Sequence, residues 1–179
     1  MRILVLNGSP RSKGNTTRLV DAFARGAREA GHTVQIEAVA KQKIHGCLAC
    51  EYCHGKGNGT CIQQDDMQAL YPAIRNADML VLASPIYYYT MTGQLISALD
   101  RTYALGRLTH IKKTALILSS GGPNMYEAPI AQYRGVIAWW GAEDVGIFPI
   151  QGLVRNHSLE NTPSDSLKQL YQFGKGLRE

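Results

Sequence analysis

The chain has 179 residues, 45% hydrophobic and 18% charged, a balance that suits one domain with a full core. Its formal charge of +5 is scattered, with Lys112-Lys113 the longest basic run, which excludes a concentrated nucleic-acid footprint. No apolar run approaches the roughly 20 residues of a membrane span, and the start Met1-Arg2-Ile3-Leu4-Val5-Leu6-Asn7-Gly8 is too short for a secretory leader. A cytoplasmic protein with neither nucleic acid nor membrane as partner is expected.

Ile3 to Leu6 is a continuous apolar run ending at Asn7-Gly8-Ser9-Pro10, the pattern of a buried strand closed by a turn. Thr16 or Thr17 can cap a helix to about Ala30, with Leu19, Val20, Phe23, Ala24 and Ala27 on one face and Gly31 as its stop. Thr33 to Val39 reads as a second strand. From about 40 to 63 the chain loses all periodicity. Asp65-Asp66 then opens a helix through about Arg75, since acidic residues suit a helix N-terminus.

Met79 to Ala83 is a third buried strand, ending at Ser84-Pro85, and Gln94 to Leu105 is helical. Thr114 to Leu118 is a fourth strand, closed by Ser119-Ser120-Gly121-Gly122. Tyr126 to Trp140 is helical, Asp144 to Ile150 a fifth strand, and Pro163 to Leu177 a last helix. This alternation predicts one α/β domain over 1–179, a parallel sheet with helices on both faces. The aperiodic stretch is the anomaly, because loops that long in compact domains are usually functional or disordered.

Ligands of open parallel sheets bind beyond the carboxyl ends of the strands. After the first strand, Gly8 to Thr17 offers glycine for close approach and Ser9, Asn15, Thr16 and Thr17 as donors. Arg11 adds positive charge, and the free N–H groups of a helix start follow. Those parts make a phosphate site; the alternative is a plain strand-to-helix turn. The loop is no Walker A, because Asn15 follows Gly14 where Lys is required, and no Gly-x-Gly-x-x-Gly occurs.

After the third strand, Tyr87, Tyr88 and Tyr89 offer flat faces with polar tips for a planar ring, or else an aromatic cover on the core. After the fourth, Ser119 to Gly122 lets backbone approach a ring edge. One phosphate loop and two ring loops describe a mononucleotide with a large planar base, which flavin mononucleotide (FMN) fits best.

Gly8-Ser9-Pro10-Arg11 with Asn15-Thr16-Thr17 resembles the phosphate loop of the NAD(P)H-dependent FMN reductase group of the flavodoxin-like superfamily. Ser84-Pro85-Ile86-Tyr87 through Asp100-Arg101 resembles that group's second flavin loop and helix. The resemblance implies a flavodoxin-like three-layer fold with sheet order 2-1-3-4-5 and FMN at the strand ends. By position it implies Ser9, Arg11, Asn15, Thr16 and Thr17 on the phosphate. It implies Pro85, Ile86, Tyr87 and Tyr88 along the ring, and Ser119, Gly121 and Gly122 at its other edge. The activity implied is an FMN-dependent oxidoreductase. It would take electrons from NAD(P)H or a reduced carrier and pass them to a quinone, a flavin or another small acceptor. A homodimer or homotetramer is implied as well.

All four cysteines fall in the aperiodic stretch, as Cys47, Cys50, Cys53 and Cys61. In a reducing compartment such a group is metal-binding or redox-active rather than a disulfide scaffold. The C-x2-C-x2-C start resembles that of ferredoxins and lets three sulfurs face one [4Fe–4S] cubane. Cys61 would be the fourth ligand, across Gly55, Gly57 and Gly59. With Asp65-Asp66-Met67 after it, the window is similar to that of iron–sulfur flavoproteins. Those flavoproteins would use FMN and a cluster to relay electrons between protein partners. Structural zinc usually pairs two knuckles across a longer loop, with His54 available here as a ligand. A metal-free loop beside the flavin is the third reading. His32, His45, His110 and His157 are isolated, Trp139-Trp140 suits core or subunit interface, and no side chain is singled out as an acid–base catalyst.

Overall fold

The computed structural model describes residues 1–152 and 162–178. His157 lies outside them. Five strands form one all-parallel sheet in the order β2-β1-β3-β4-β5. They are β1 (Arg2–Asn7), β2 (Thr33–Glu37), β3 (Met79–Pro85), β4 (Lys113–Ser119) and β5 (Glu143–Ile150). The helices between and after them are α1 (Asn15–Glu29), α2 (Met67–Asn76), α3 (Gly93–Arg101), α4 (Glu127–Trp140) and α5 (Ser164–Gly176). This is the flavodoxin-like order expected.

Alternate strand residues feed two cores, as the period of two requires. Ile3, Val5, Val81, Ala115 and Ile117 pack under α1 and α5. Leu4, Leu6, Leu80, Leu82, Leu116 and Leu118 pack under α2, α3 and α4. The backbones of α1 and α5 meet at two glycines. A Cβ on Gly26 would stand 2.0 Å from the Tyr171 carbonyl oxygen, and one on Gly174 2.3 Å from that of Phe23. Among the described residues no helix is long and apolar enough to cross a membrane.

Three local expectations are corrected. The cap of α1 is Gly14, with no side-chain hydrogen bond to the helix, and Thr16 and Thr17 lie inside the first turn. The strand from Thr33 ends at Glu37, and Val39 begins a 3-10 turn. α3 stops at Arg101 and tightens to a 3-10 turn over Thr102–Leu105. There the Thr102 hydroxyl donates to the Leu99 carbonyl at 2.7 Å, a local bond that competes with the helix ladder.

Candidate functional site

Chain order reverses about β1, which is flanked by β2 and β3, and such a switch point is where open α/β sheets bind ligands. The loops there are tied into one floor. Gly8 N–H donates to the Ala83 carbonyl (2.8 Å) and Ile86 N–H to the Ser119 carbonyl (2.8 Å). The Thr92 hydroxyl donates to the Gly8 carbonyl at 2.9 Å, and the Thr92 N–H to Ser84 Oγ at 2.9 Å. Gly8 is required for this stitch, because a Cβ there would stand 2.6 Å from Thr92 Oγ1.

On this floor the α1 N-terminus has neither a side-chain cap nor an acidic residue in its first turn. Its N–H groups and partial positive charge are left for an anion. Arg11 is exposed at the rim. Ser9 is buried, its N–H on Asn7 Oδ1 (3.0 Å) and its hydroxyl near the Arg11 carbonyl (3.2 Å). Thr17 donates to that same carbonyl at 3.1 Å. Asn15 Oδ1 accepts from Thr162 at 2.7 Å. Two of the expected residues bond each other: Thr16 and Ser119 share a buried hydroxyl pair at 2.7 Å. Thr16 therefore has a backbone N–H to offer rather than a free hydroxyl.

Beyond β3 the chain makes a tight reversal closed by Tyr87 and Thr90, whose N–H groups each meet the other's carbonyl. The two central residues, Tyr88 (φ +48°) and Tyr89 (φ +61°), sit in the left-handed region. Turns of this shape favour Asn and Gly. The strain persists at about 1 kcal/mol per residue, and it holds Tyr88 fully exposed while Ile86 is buried beneath. Exposed aromatic rings above a stitched floor suit a planar heterocycle. Past β4, Ser120 Oγ contacts the Gly122 carbonyl and the Tyr126 hydroxyl, both at 2.6 Å, which fixes the loop carrying the exposed Gly121. The three loops thus stand together, and their donor set and exposed rings fit FMN.

The cysteine loop lies beside the far end of α3. All four cysteines are free, Cys47 and Cys50 exposed and Cys53 buried. They line one concavity with Leu48, Glu51, Tyr103 and Arg101. Ala49 (φ +50°) and Glu51 (φ +56°) are both left-handed, so the backbone reverses on either side of Cys50. Such outliers in non-glycine residues mark functional loops. Among the described residues no three His, Cys, Asp or Glu side chains are gathered as a single-ion site, and His54 packs edge-on against the Tyr103 ring. Four thiols lining one concavity are a donor set of the kind a cubane takes.

The neck of the loop is closed by Asp65 and Asp66, which the sequence presented as a helix start and as part of the iron–sulfur flavoprotein resemblance. Asp66 Oδ2 accepts from Lys43 N–H at 2.7 Å, and Asp65 Oδ2 from His45 N–H at 3.0 Å. Arg101, 1% exposed, forks onto Asp65 through Nη1 (2.6 Å) and Nη2 (3.1 Å), and Nη1 also donates to the His45 carbonyl (3.0 Å). Burial pushes the Asp65 carboxyl up, but the Arg101 and backbone donors outweigh it and leave the pKa at about 2. Tyr71 donates to the Arg101 carbonyl at 3.1 Å, and burial raises its phenol to about 12. Neither the Arg101 fork nor the role of Asp65 was anticipated. The adjacent Asp100-Arg101 was visible only as part of the flavin loop and helix that the family resemblance implied. Of the remaining candidates, His45 is exposed near Asp65 and Trp140 is buried. Trp139 is 66% exposed with Arg107 over its ring.

Residues 1–150 match the family model described as NADPH-dependent FMN reductase. An iron–sulfur flavoprotein of Archaeoglobus fulgidus is 28% identical over all of this chain and 80% of its own length. One of Methanocaldococcus jannaschii is 36% identical over 59% of this chain, and the match covers about half (52%) of that protein. Among solved structures, the NAD(P)H:quinone oxidoreductase of Methanothermobacter marburgensis superposes with a TM-score of 0.78 at 21% identity, over 100% of this chain and 96% of that one, a likeness of fold.

Proposed function

This chain belongs to the NADPH-dependent FMN reductase family, whose members are FMN-dependent oxidoreductases drawing on NAD(P)H, and on that footing we propose that it carries electrons between FMN at the switch point and a [4Fe–4S] cluster in the cysteine loop. Residues 1–179 form one FMN-binding domain in this reading. Bound FMN supplies hydride and single-electron chemistry. Arg11, Ser9, Asn15 and Thr17, with the backbone N–H of Thr16, hold its phosphate. Pro85, Ile86, Tyr87 and Tyr88 lie along the ring, and Ser119, Gly121 and Gly122 border its other edge. Cys47, Cys50, Cys53 and Cys61 are the cluster ligands, in a cytoplasm that keeps thiols reduced.

The observation that carries the reading is the pair of strained reversals, Tyr88-Tyr89 and Ala49/Glu51. One precedes the start of α3 and the other lies beside its end at Arg101, and each presents a residue type suited to its cofactor. The acceptor is a quinone, a flavin or another small molecule. The first of these is the acceptor class named for the Methanothermobacter marburgensis oxidoreductase, which shares this fold. A carrier that passes electrons only between protein partners is the second reading, favoured by exposed Leu48, Cys47 and Cys50. A homodimer or homotetramer is proposed on the exposed Trp139, which stands in an open groove with Tyr103 and Arg107.

Protein purified without air and mixed with NADPH or NADH tests the reductase reading. Rapid bleaching of flavin absorbance supports it. Absence of bleaching with either nucleotide, together with reduction by a ferredoxin, leaves the carrier. Iron and acid-labile sulfide near four each per chain support the cubane, and stoichiometric flavin without iron removes it.

A further inference from the structure

Arg101 ends α3, where a cation ordinarily reaches water along its apolar stem. Here the whole side chain is buried, 1% exposed. Its Nη1 and Nη2 are taken up by Asp65 and the His45 carbonyl. Among the described residues its Nε–H has no partner. Buried donors without partners are rare in native proteins and call for a reason. The same side chain lines the concavity that Cys47, Cys50, Cys53 and Cys61 also line. Among the described residues lining it, Arg101 is the one cation. The other charged residue there, Glu51, accepts a hydrogen bond from the Tyr103 hydroxyl at 3.0 Å.

We propose that Arg101 is the positioning residue of the cysteine site: its Nη atoms lock the neck of the loop, and its Nε–H donates to a sulfur of the iron–sulfur cluster. The inference rests on the cluster reading above. Four thiolates around a cubane make an anion that becomes more negative on reduction. A donor and a positive charge both favour the reduced form, because hydrogen bonds to sulfur and net charge set the potential of such clusters. Arg101 therefore holds the cluster's potential up. By gripping His45 before the first cysteine and Asp65 after the last, it also fixes where the sulfurs stand.

The test uses the full chain reconstituted anaerobically with ferrous iron and sulfide. The readouts are iron and FMN per chain, the rate of iron loss to a chelator, and the cluster's midpoint potential in a dye-mediated titration. Arg101→Lys keeps a charge but loses the fork and the Nε–H. It is expected still to load FMN, to lose iron roughly tenfold faster, the usual cost of removing a group that orients a metal ligand, and to titrate at a more negative potential. Asp65→Asn loosens the neck with the Nε–H still present, so it speeds iron loss without lowering the potential. Should Arg101→Lys fail to fold, Arg101→Met with Asp65→Asn removes both buried charges, and it too titrates at the more negative potential. A parent that takes up no iron sinks the cluster reading and this inference with it. A parent that loads, beside variants that retain its potential and its iron, overturns Arg101 alone. An Asp65→Asn potential lowered as far as that of Arg101→Lys overturns the Nε–H assignment.

Discussion

Replacing Asp65 by Asn keeps the shape of the loop neck and removes one charge. Asp65 Oδ2 accepts from Arg101 Nη1 and His45 N–H, and Oδ1 from Arg101 Nη2 and Met67 N–H. An amide turns one of those oxygens into a donor. Either orientation sets it against two existing donors, and the buried guanidinium loses its counter-charge. Removing one partner of a buried pair costs about 3–5 kcal/mol, a large share of the 5–15 kcal/mol typical of a domain. Chemical unfolding near neutral pH, followed by circular dichroism, reads this directly. The partly buried neck also predicts faster reaction of Cys53 with a thiol reagent. Adding Arg101→Met removes the unpaired cation and should recover much of the loss. The acid limb gives an independent check. The carboxyl's folded pKa of about 2 lies below its ordinary 3.8, so its contribution is present above about pH 4 and disappears as pH falls through 2. A shift of that size is worth about 2 kcal/mol. An Asp65→Asn protein within about 1 kcal/mol of the parent near pH 7 would refute the clamp.

Three further outcomes are expected. Arg11→Ala should weaken FMN binding roughly tenfold, the worth of a charge-assisted phosphate bond, in equilibrium dialysis; unchanged affinity would misplace the phosphate site. Tyr88→Asn with Tyr89→Gly relieves two left-handed side chains. It should stabilise the flavin-free chain by about 1–2 kcal/mol while reducing flavin affinity, and a variant that binds flavin as tightly as the parent argues against rings lining the cofactor. Gly26→Ala places a Cβ against the Tyr171 carbonyl. It should part α1 from α5 at a cost of about 1–3 kcal/mol, measured as a lower unfolding midpoint, with flavin affinity little changed because that contact is remote from the switch point.

The sheet was legible because β1, β3 and β4 carry unbroken apolar runs and the helices between them apolar stripes. Both patterns are local. The strand-end loops were legible as turns for the same reason, since Gly, Ser and Asn are the residues that turns take. The cap of α1 was misread because Thr16 spends its hydroxyl on Ser119, a partner 103 residues away. Asp65 was read as helix chemistry because its spacing to Met67 does serve the helix start. Its stronger partner, Arg101, is 36 residues on. A buried arginine at a helix end carries no periodic signal that separates it from a solvated one.

The helix α3 gives these long-range bonds a common purpose. Its start is held by Thr92, which grips the Gly8 carbonyl and Ser84 under the flavin loop. Its end is Arg101, which grips both sides of the cysteine loop. Nine residues separate those ends, so the helix spans about 13 Å at its usual rise. Leu95, Ala98 and Leu99 bury its inner face in the α2–α4 core, and close-packed interiors transmit displacement rather than absorb it. A short rigid strut anchored at both cofactor loops keeps their separation constant while each loop tolerates strain of its own. On this argument a change at either anchor should be felt at the other loop. Asp65→Asn, with its effect confined to the cysteine side and flavin affinity intact, would show that the strut does not couple them.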